Sequence, residues 1–222
     1  MSLVTRVSRR GVVVLGLLLG FFATEARAAS VVHTLSYPLT PYLNGGTLAM
    51  TPQALPKFNI DGECLTSVCI SLDGDVYGEI GFENYDNFAK TVVVQFTAFI
   101  TLQRPDVSTI LVVQPATSTT DNVPAYDGTL DYGGTSGKTY YGVGAGQVDS
   151  LCLSSPADLA LFSGAGNINL PCIASDASSQ VGANSWSIGI KGYAIVTVRY
   201  NYVHCETPAE RTTWGRIKQS YR

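Results

Sequence analysis

The sequence predicts an all-β protein: one antiparallel β-sandwich domain, of jelly-roll or immunoglobulin-like type. Three observations predict it. Charged residues make up only 14% of the chain, while Gly (22 residues) and Tyr (12 residues) are plentiful, a composition typical of exported β proteins rather than helical cytoplasmic ones. Short apolar segments with a period of two recur from end to end. No segment with the helical period and ordinary helix length is written between residues 29 and 205, and no linker divides that stretch.

The chain opens with the three parts of a secretory signal: Arg6, Arg9 and Arg10, an apolar core from Val12 to Phe22, and small residues at Ala26 and Ala28. Cleavage is expected after Ala28, because the apolar run is too short to span a bilayer. SRRGVVV shares the paired arginines of a twin-arginine signal, which are also ordinary n-region charge. The mature chain then starts with VVHTLSY, a first strand. LPKFNIDGE follows as turn-rich punctuation before CLTSVCISL, where Thr66, Val68, Ile70 and Leu72 share one face and Leu65, Ser67, Cys69 and Ser71 the other. DGD (Asp73 to Asp75) reads as the turn that ends it.

TVVVQFTAFITL from Thr91 and STILVVQ from Ser108 read as strands joined by a hairpin turn at Arg104 to Asp106. AYDGTLDYGGTSGKTYYGVGAG reads as a long glycine-rich loop. Beyond it, QVDSLCLS from Gln147 and NINLPCIAS from Asn167 are further strands, separated by SGAG. In YAIVTVRYNY, Ala194, Val196, Val198, Tyr200 and Tyr202 alternate with Ile195, Thr197, Arg199 and Asn201, the clearest strand pattern in the chain. Two sheets packed face to face would bury the apolar sides of these strands against each other.

Five cysteines in an exported chain are expected to oxidise, leaving one unpaired. Sequence does not choose the partners among Cys64, Cys69, Cys152, Cys172 and Cys205. One pairing is excluded: on an extended strand Cys64 and Cys69 lie roughly 16 Å apart, and a bridge needs Cα atoms within about 7 Å.

LPKFNIDGECLTSVCISLDG resembles the signature of the choice-of-anchor E domain, in which Leu-Pro-Lys-Phe-Asp precedes a Gly and a Leu-Thr-Ser-Val strand. AFITLQRPD is similar to that family's mid-domain strand and turn, LFSGAGNINL to its Phe-Gly-Gly segment, and AIVTVRYNY to its closing strand, so the resemblance covers residues 31–203. It implies a bacterial exported surface domain, named for the varied anchoring signals placed behind it, and it implies a location rather than a chemistry. Asn59 stands where an aspartate is usual, and Cys64 and Cys69 replace small or β-branched residues. From Cys205 onward there is no Pro-Glu-Pro box, no long apolar span and no sortase-type motif.

Charge and motifs exclude several function classes. Removing residues 1–28 takes away Arg6, Arg9, Arg10 and Arg27 against Glu25, which moves the formal net charge from -3 to -6. Residues 206–222 hold Arg211, Arg216, Lys218 and Arg222 against Glu206 and Glu210, a net of +2, so residues 29–205 carry -8. Nucleic acid is therefore not an expected partner. His33 and His204 are the only histidines, and His204 and Cys205 project to opposite faces of one strand, which does not make a nucleophile and base pair. There is no C-x-x-C or H-x-x-x-H unit for zinc and no G-x-S-x-G elbow. No catalytic residue and no resident cofactor are expected. Asp73, Asp75 and Glu79, and Asp121, Asp127 and Asp131, supply oxygen ligands suited to calcium, but neither group matches the twelve-residue calcium loop and aspartate is a common turn former.

Two candidate surfaces remain. Tyr126, Tyr132, Tyr140 and Tyr141 lie in the glycine-rich segment, and aromatic rings beside polar loops are a means of stacking on sugars. Trp214, Ile217 and Tyr221 would share one face of a short helix, with Lys218 beside them, after a cap at Thr212 or Thr213. About ten residues seldom hold a helix alone, so residues 206–222 read as a basic tail that orders on docking to an export or anchoring partner, or tucks against its own domain. The function expected is that of a secreted, disulfide-braced, non-enzymatic surface or extracellular-matrix component without a mature transmembrane helix. The alternative is a carbohydrate-binding module using the loop tyrosines.

Overall fold

The computed structural model describes residues 28–43 and 45–205. Residues 1–27, within the expected signal segment 1–28, and residues 206–222, with Trp214, Ile217, Lys218 and Tyr221, lie outside the described residues. In chain order the elements are β1 (Ala29–Tyr37), β2 (Thr47–Ala49), β3 (Gln53–Pro56), β4 (Glu63–Glu83), β5 (Lys90–Gln103), β6 (Thr109–Val113), β7 (Ala116–Val123) and β8 (Gly137–Leu153). They continue with α1 (Pro156–Phe162), β9 (Asn167–Leu170), β10 (Cys172–Asp176), β11 (Ser179–Val181) and β12 (Ser185–His204).

The strands form two main antiparallel sheets and a small one. The first has the order β1-β12-β4-β8; the second has the order β11-β5-β10-β2, with β6 and β7 also paired to β5; β3 and β9 make the third. The two main sheets face each other, and alternation decides what lies between them. Val68, Ile70, Leu72, Val76, Ile80 and Phe82 of β4 point inward, as do Ala194, Val196, Val198 and Tyr200 of β12. Opposite them, every second residue of β5 from Val92 to Leu102 is buried. Each large apolar side chain placed in this layer contributes about 1.5–3 kcal/mol. This is the β-sandwich that the composition and the period of two predict.

One strand is far longer than the sequence suggests. Asp73, Gly74 and Asp75 do not end β4, which runs for 21 residues and pairs β12 along its whole length. Gly74 faces the core, where a Cβ would come within 3.0 Å of Ile100 Cδ1 and closer still to Val113. This glycine makes room for the facing sheet rather than a turn. The glycine-rich segment is likewise corrected: its second half, from Gly137, is strand β8, with Val143 and Ala145 packed against the core and Gly144 and Gly146 on the outer face.

The end of the sandwich nearest Cys205 is plugged by α1 and the β3–β9 pair. Ser155 caps α1 by accepting from the Asp158 amide at 3.1 Å, and Pro156 opens the helix. Phe162 of α1 and Phe58 both pack on the Tyr200 ring, and Phe58 also meets Tyr202. Arg104 fixes the β5–β6 turn to the helix through Asp158 at 2.8 Å. Tyr37 and Tyr200, buried for most of their length, donate to the Leu170 and Pro56 carbonyls at 2.6 and 2.8 Å. Burial pushes both phenols well above their ordinary range.

Two disulfides close the same end. Cys64 is bonded to Cys205, and Cys69 to Cys152, its direct cross-strand neighbour in the β4–β8 ladder. The remaining Cys172 is buried, and burial pushes its thiol up to about 12.

Candidate functional site

The site lies at the other end of the long ladders, on the solvent side of the first sheet. Since Ile80 and Phe82 are wholly buried, the period of two turns Tyr77, Glu79 and Gly81 outward. Register then lines up their neighbours. Glu79 sits between Gly189 of β12 and Tyr141 of β8; Gly81 sits between Ser187 and Thr139; Tyr77 sits between Lys191 and Gly144. Tyr77 is 54% exposed and Tyr141 77% exposed.

Two further tyrosines come in from loops over glycines. Tyr42 is held by the Leu43 amide, which donates to the Ile190 carbonyl at 2.6 Å, and by the Thr40 amide, which donates to Gly192. Its ring crosses Gly189, where a Cβ would lie 2.7 Å from the ring edge. The Lys191 ammonium sits 4.4 Å from the centre of the same ring. Tyr132 lies over Gly81, where a Cβ would come within 3.2 Å of it.

Tyr132 is fixed by several bonds. Its amide donates to Glu83 at 2.9 Å, its carbonyl accepts from Thr139 Oγ1 at 2.8 Å, and its hydroxyl is 3.0 Å from Ser185 Oγ. Glu83 is fully buried and also accepts from Ser136 Oγ at 2.6 Å. Asp127 gathers the rest of the loop by accepting the amides of Thr129 and Thr135, both at 3.0 Å. The Thr135 amide, then those of Thr129 and Ser136, pull its carboxyl down to about 2.

The result is two adjoining grooves, together called the trough. A groove of about 610 Å³ wraps the edge of β12, lined by Tyr42, Gly189 and Asp176 and, from the core-facing side of the strand, by Trp186 and Ile188; a second of about 210 Å³ lies on the outer face between Tyr132, Tyr141, Thr139 and Asp131. Glu79 and Ser187 line both. The trough thus has aromatic walls, a floor lowered by glycine, and one carboxylate at its middle.

The structure separates the four sequence-predicted tyrosines. Tyr132 and Tyr141 line the trough. Tyr140, its neighbour on β8, donates its hydroxyl to Asp121 at 2.7 Å and packs near Phe82. Tyr126 stacks edge-on with Tyr85 at 5.5 Å. Tyr42 and Trp186 are additions that sequence spacing does not reveal. The one local signal is Gly189, a glycine inside a strand, which marks a close approach.

The acidic residues considered for calcium are not brought together. Asp121 holds Lys138 at 2.7 Å, Asp127 braces its loop, and Tyr193 bonds to Asp75 on the outer face, which raises that phenol. Among the described residues no three His, Cys, Asp or Glu side chains are grouped to hold a metal ion. His33 packs edge-on against Tyr200 at 5.5 Å, and His204 faces Glu63 at 3.5 Å. His33 pairs with Val198, six positions from His204 and hence roughly 20 Å away along the strand.

No protein-family model matches the chain, and no curated protein matches it. Among solved structures the chain is similar to an infectious bursal disease virus Gx strain structure, at 11% identity and a TM-score of 0.26, over 86% of this chain and 47% of that one. It is also similar to the infectious bursal disease virus VP2 subviral particle, at 15% identity and a TM-score of 0.27, over 96% of this chain and 52% of that one. The chain therefore spans about half the length of these solved proteins.

Proposed function

We propose that the protein is an exported, non-enzymatic sandwich of the cell surface or extracellular matrix, and that it binds polysaccharide in the tyrosine-walled trough. The observation that carries the reading is the convergence of Tyr42, Tyr132 and Tyr141 around one glycine-floored strip of the sheet, with exposed Tyr77 two positions from Glu79 on the same face. Flat aromatic faces over a wet, polar floor suit sugar rings, which present one apolar face and an edge of hydroxyls. Rigid placement of Tyr132 lowers the entropy lost on binding.

Two disulfides support a place outside the reducing cytoplasm, as do the leader motif and the resemblance to choice-of-anchor domains. No helix of the described residues is long and apolar enough to cross a membrane. The non-enzymatic part rests on the side chains present. The unpaired Cys172 is buried with its thiol held protonated, and the two histidines are occupied at separate places on the sheet.

Affinity electrophoresis through gels containing soluble polysaccharides tests the reading. The mature protein should be retarded, and Tyr42→Ala or Tyr141→Ala should each weaken binding by up to about tenfold, the worth of one stacked ring. Tyr140→Phe should behave as the parent. Equal retardation of parent and both trough variants would overturn the proposal.

A further inference from the structure

We infer that the trough selects a polysaccharide bearing free amino groups, with Glu79 receiving the ammonium. The inference rests on the reading of the trough as a glycan site and names the class of glycan.

The charged groups that face the trough come from four elements. Asp176, at the end of β10, is already engaged: its oxygens accept the amides of Gly45 at 3.0 Å and Ser178 at 2.8 Å. Asp131, in the loop before β8, accepts the Gly133 amide at 2.8 Å. Lys191, on β12, is drawn over the Tyr42 ring. Glu79, on β4, stands apart. It is half-buried and, alone of the three carboxylates, lines both grooves; like Asp131 and Asp176 it takes part in none of the ion pairs among the described residues.

A partly desolvated carboxylate without a cation, flanked by aromatic faces, favours an ammonium group for two separate reasons. The carboxylate accepts a charge-assisted hydrogen bond, and the ring faces attract the same cation through their quadrupoles. The Lys191 ammonium already covers one face of Tyr42, so the rings left to a ligand ammonium are those of Tyr132 and Tyr141. Uronic or other anionic sugars would meet the three carboxylates Glu79, Asp131 and Asp176 against the single ammonium of Lys191, a net negative lining that repels them. N-acetylation removes the amine's charge, so an acetylated chain keeps the stacking and loses the ion pair.

Titration calorimetry of the disulfide-intact mature protein with chitohexaose, its fully de-N-acetylated form, and oligogalacturonate tests this. The de-N-acetylated oligomer should bind most tightly, the acetylated one about three- to fivefold more weakly, and the oligogalacturonate weakest. The preference should shrink as salt rises. Glu79→Gln should abolish the preference, so that the acetylated and de-N-acetylated oligomers bind the variant with equal affinity. Asp61→Asn, which removes the same charge from an exposed turn elsewhere, should leave the preference intact.

Equal binding of the two amino-sugar oligomers to the parent would overturn the inference while leaving the trough as a neutral-glycan site. An equal loss of preference in Asp61→Asn would overturn it too, by making net charge the cause. Binding of neither oligomer, together with no effect of Tyr42→Ala on any polysaccharide, would overturn the inference and the trough reading alike.

Discussion

The two ends of the β4–β12 ladder are held by different chemistry. At one end, around Cys64, Cys69, Cys152 and Cys205, covalent bridges tie three strands, and Phe58, Phe162 and Tyr200 plug the sandwich. At the other, around Glu79 to Glu83, no bridge occurs, and two carboxylates hold a loop by collecting its amides and hydroxyls. Cys64 and Glu79 are fifteen positions apart, roughly 50 Å along an extended strand. The contrast teaches that rigidity and exposure can be divided along a single strand. The closed end secures the fold, and the open end is free to present tyrosines to solvent.

The sharpest way to break this comparison is to unfasten the closed end. Cys64→Ser with Cys205→Ser should lower unfolding free energy by about 2–5 kcal/mol in urea titrations, while glycan affinity measured below the transition stays as in the parent. A parallel loss of affinity would show that the ends are not independent. Next in size, Glu83→Ala should cost about 1–3 kcal/mol, because the Tyr132 amide and the Ser136 hydroxyl lose a buried acceptor. Here affinity should fall as well, since Tyr132 is no longer fixed, and Glu83→Gln should recover part of both.

Ser155→Ala removes the cap of α1 and should cost about 1 kcal/mol with no change in binding. The smallest effect concerns acid. Asp127 has its carboxyl lowered from 3.8 to about 2 by the amides it accepts. A carboxylate depressed in the folded state adds stability that is present above its unfolded value and is lost as pH falls through the folded one. The melting temperature of the parent should therefore drop more steeply between about pH 4 and pH 2 than that of Asp127→Asn. Identical slopes would show that the Asp127 bonds do not stabilise the loop.

Much of the fold was legible because a period of two is local. Val68, Ile70 and Leu72 on one side and Ala194, Val196 and Val198 on another strand point inward as their alternation requires. The punctuation was less readable. Asp73-Gly74-Asp75 carries turn residues, yet Gly74 answers to Val113 and Ile100 on the facing sheet, which are distant in sequence. Tyr140 and Tyr141 sit among glycines that signal a loop, while their pairing with Ile80 and Glu79 makes them a strand.

Helix α1 is short, seven residues, but its start is written locally: Ser155, Pro156 and Asp158 spell a cap, a first-turn proline and an acid in the first turn. The site was half legible. Composition pointed equally to Tyr126, Tyr132, Tyr140 and Tyr141, of which only Tyr132 and Tyr141 line the grooves, and Tyr42 approaches Glu79 only through register across β12, which no spacing in the chain encodes. Cysteine pairing was closed to sequence for the same reason, since Cys69 finds Cys152 by strand alignment.

The position of β12 has a consequence for how the molecule is made. It is the inner neighbour of both β1 and β4, and it is the last strand of the described chain. A polypeptide emerging amino end first therefore cannot complete its first sheet until about its final twenty domain residues arrive, and the Cys64–Cys205 bridge spans 141 positions. Such distant pairing slows folding and leaves greasy strand edges uncovered in the interval. Completion of the first sheet should thus wait on synthesis of the carboxyl end, with oxidation of Cys64 and Cys205 as the step that seals it.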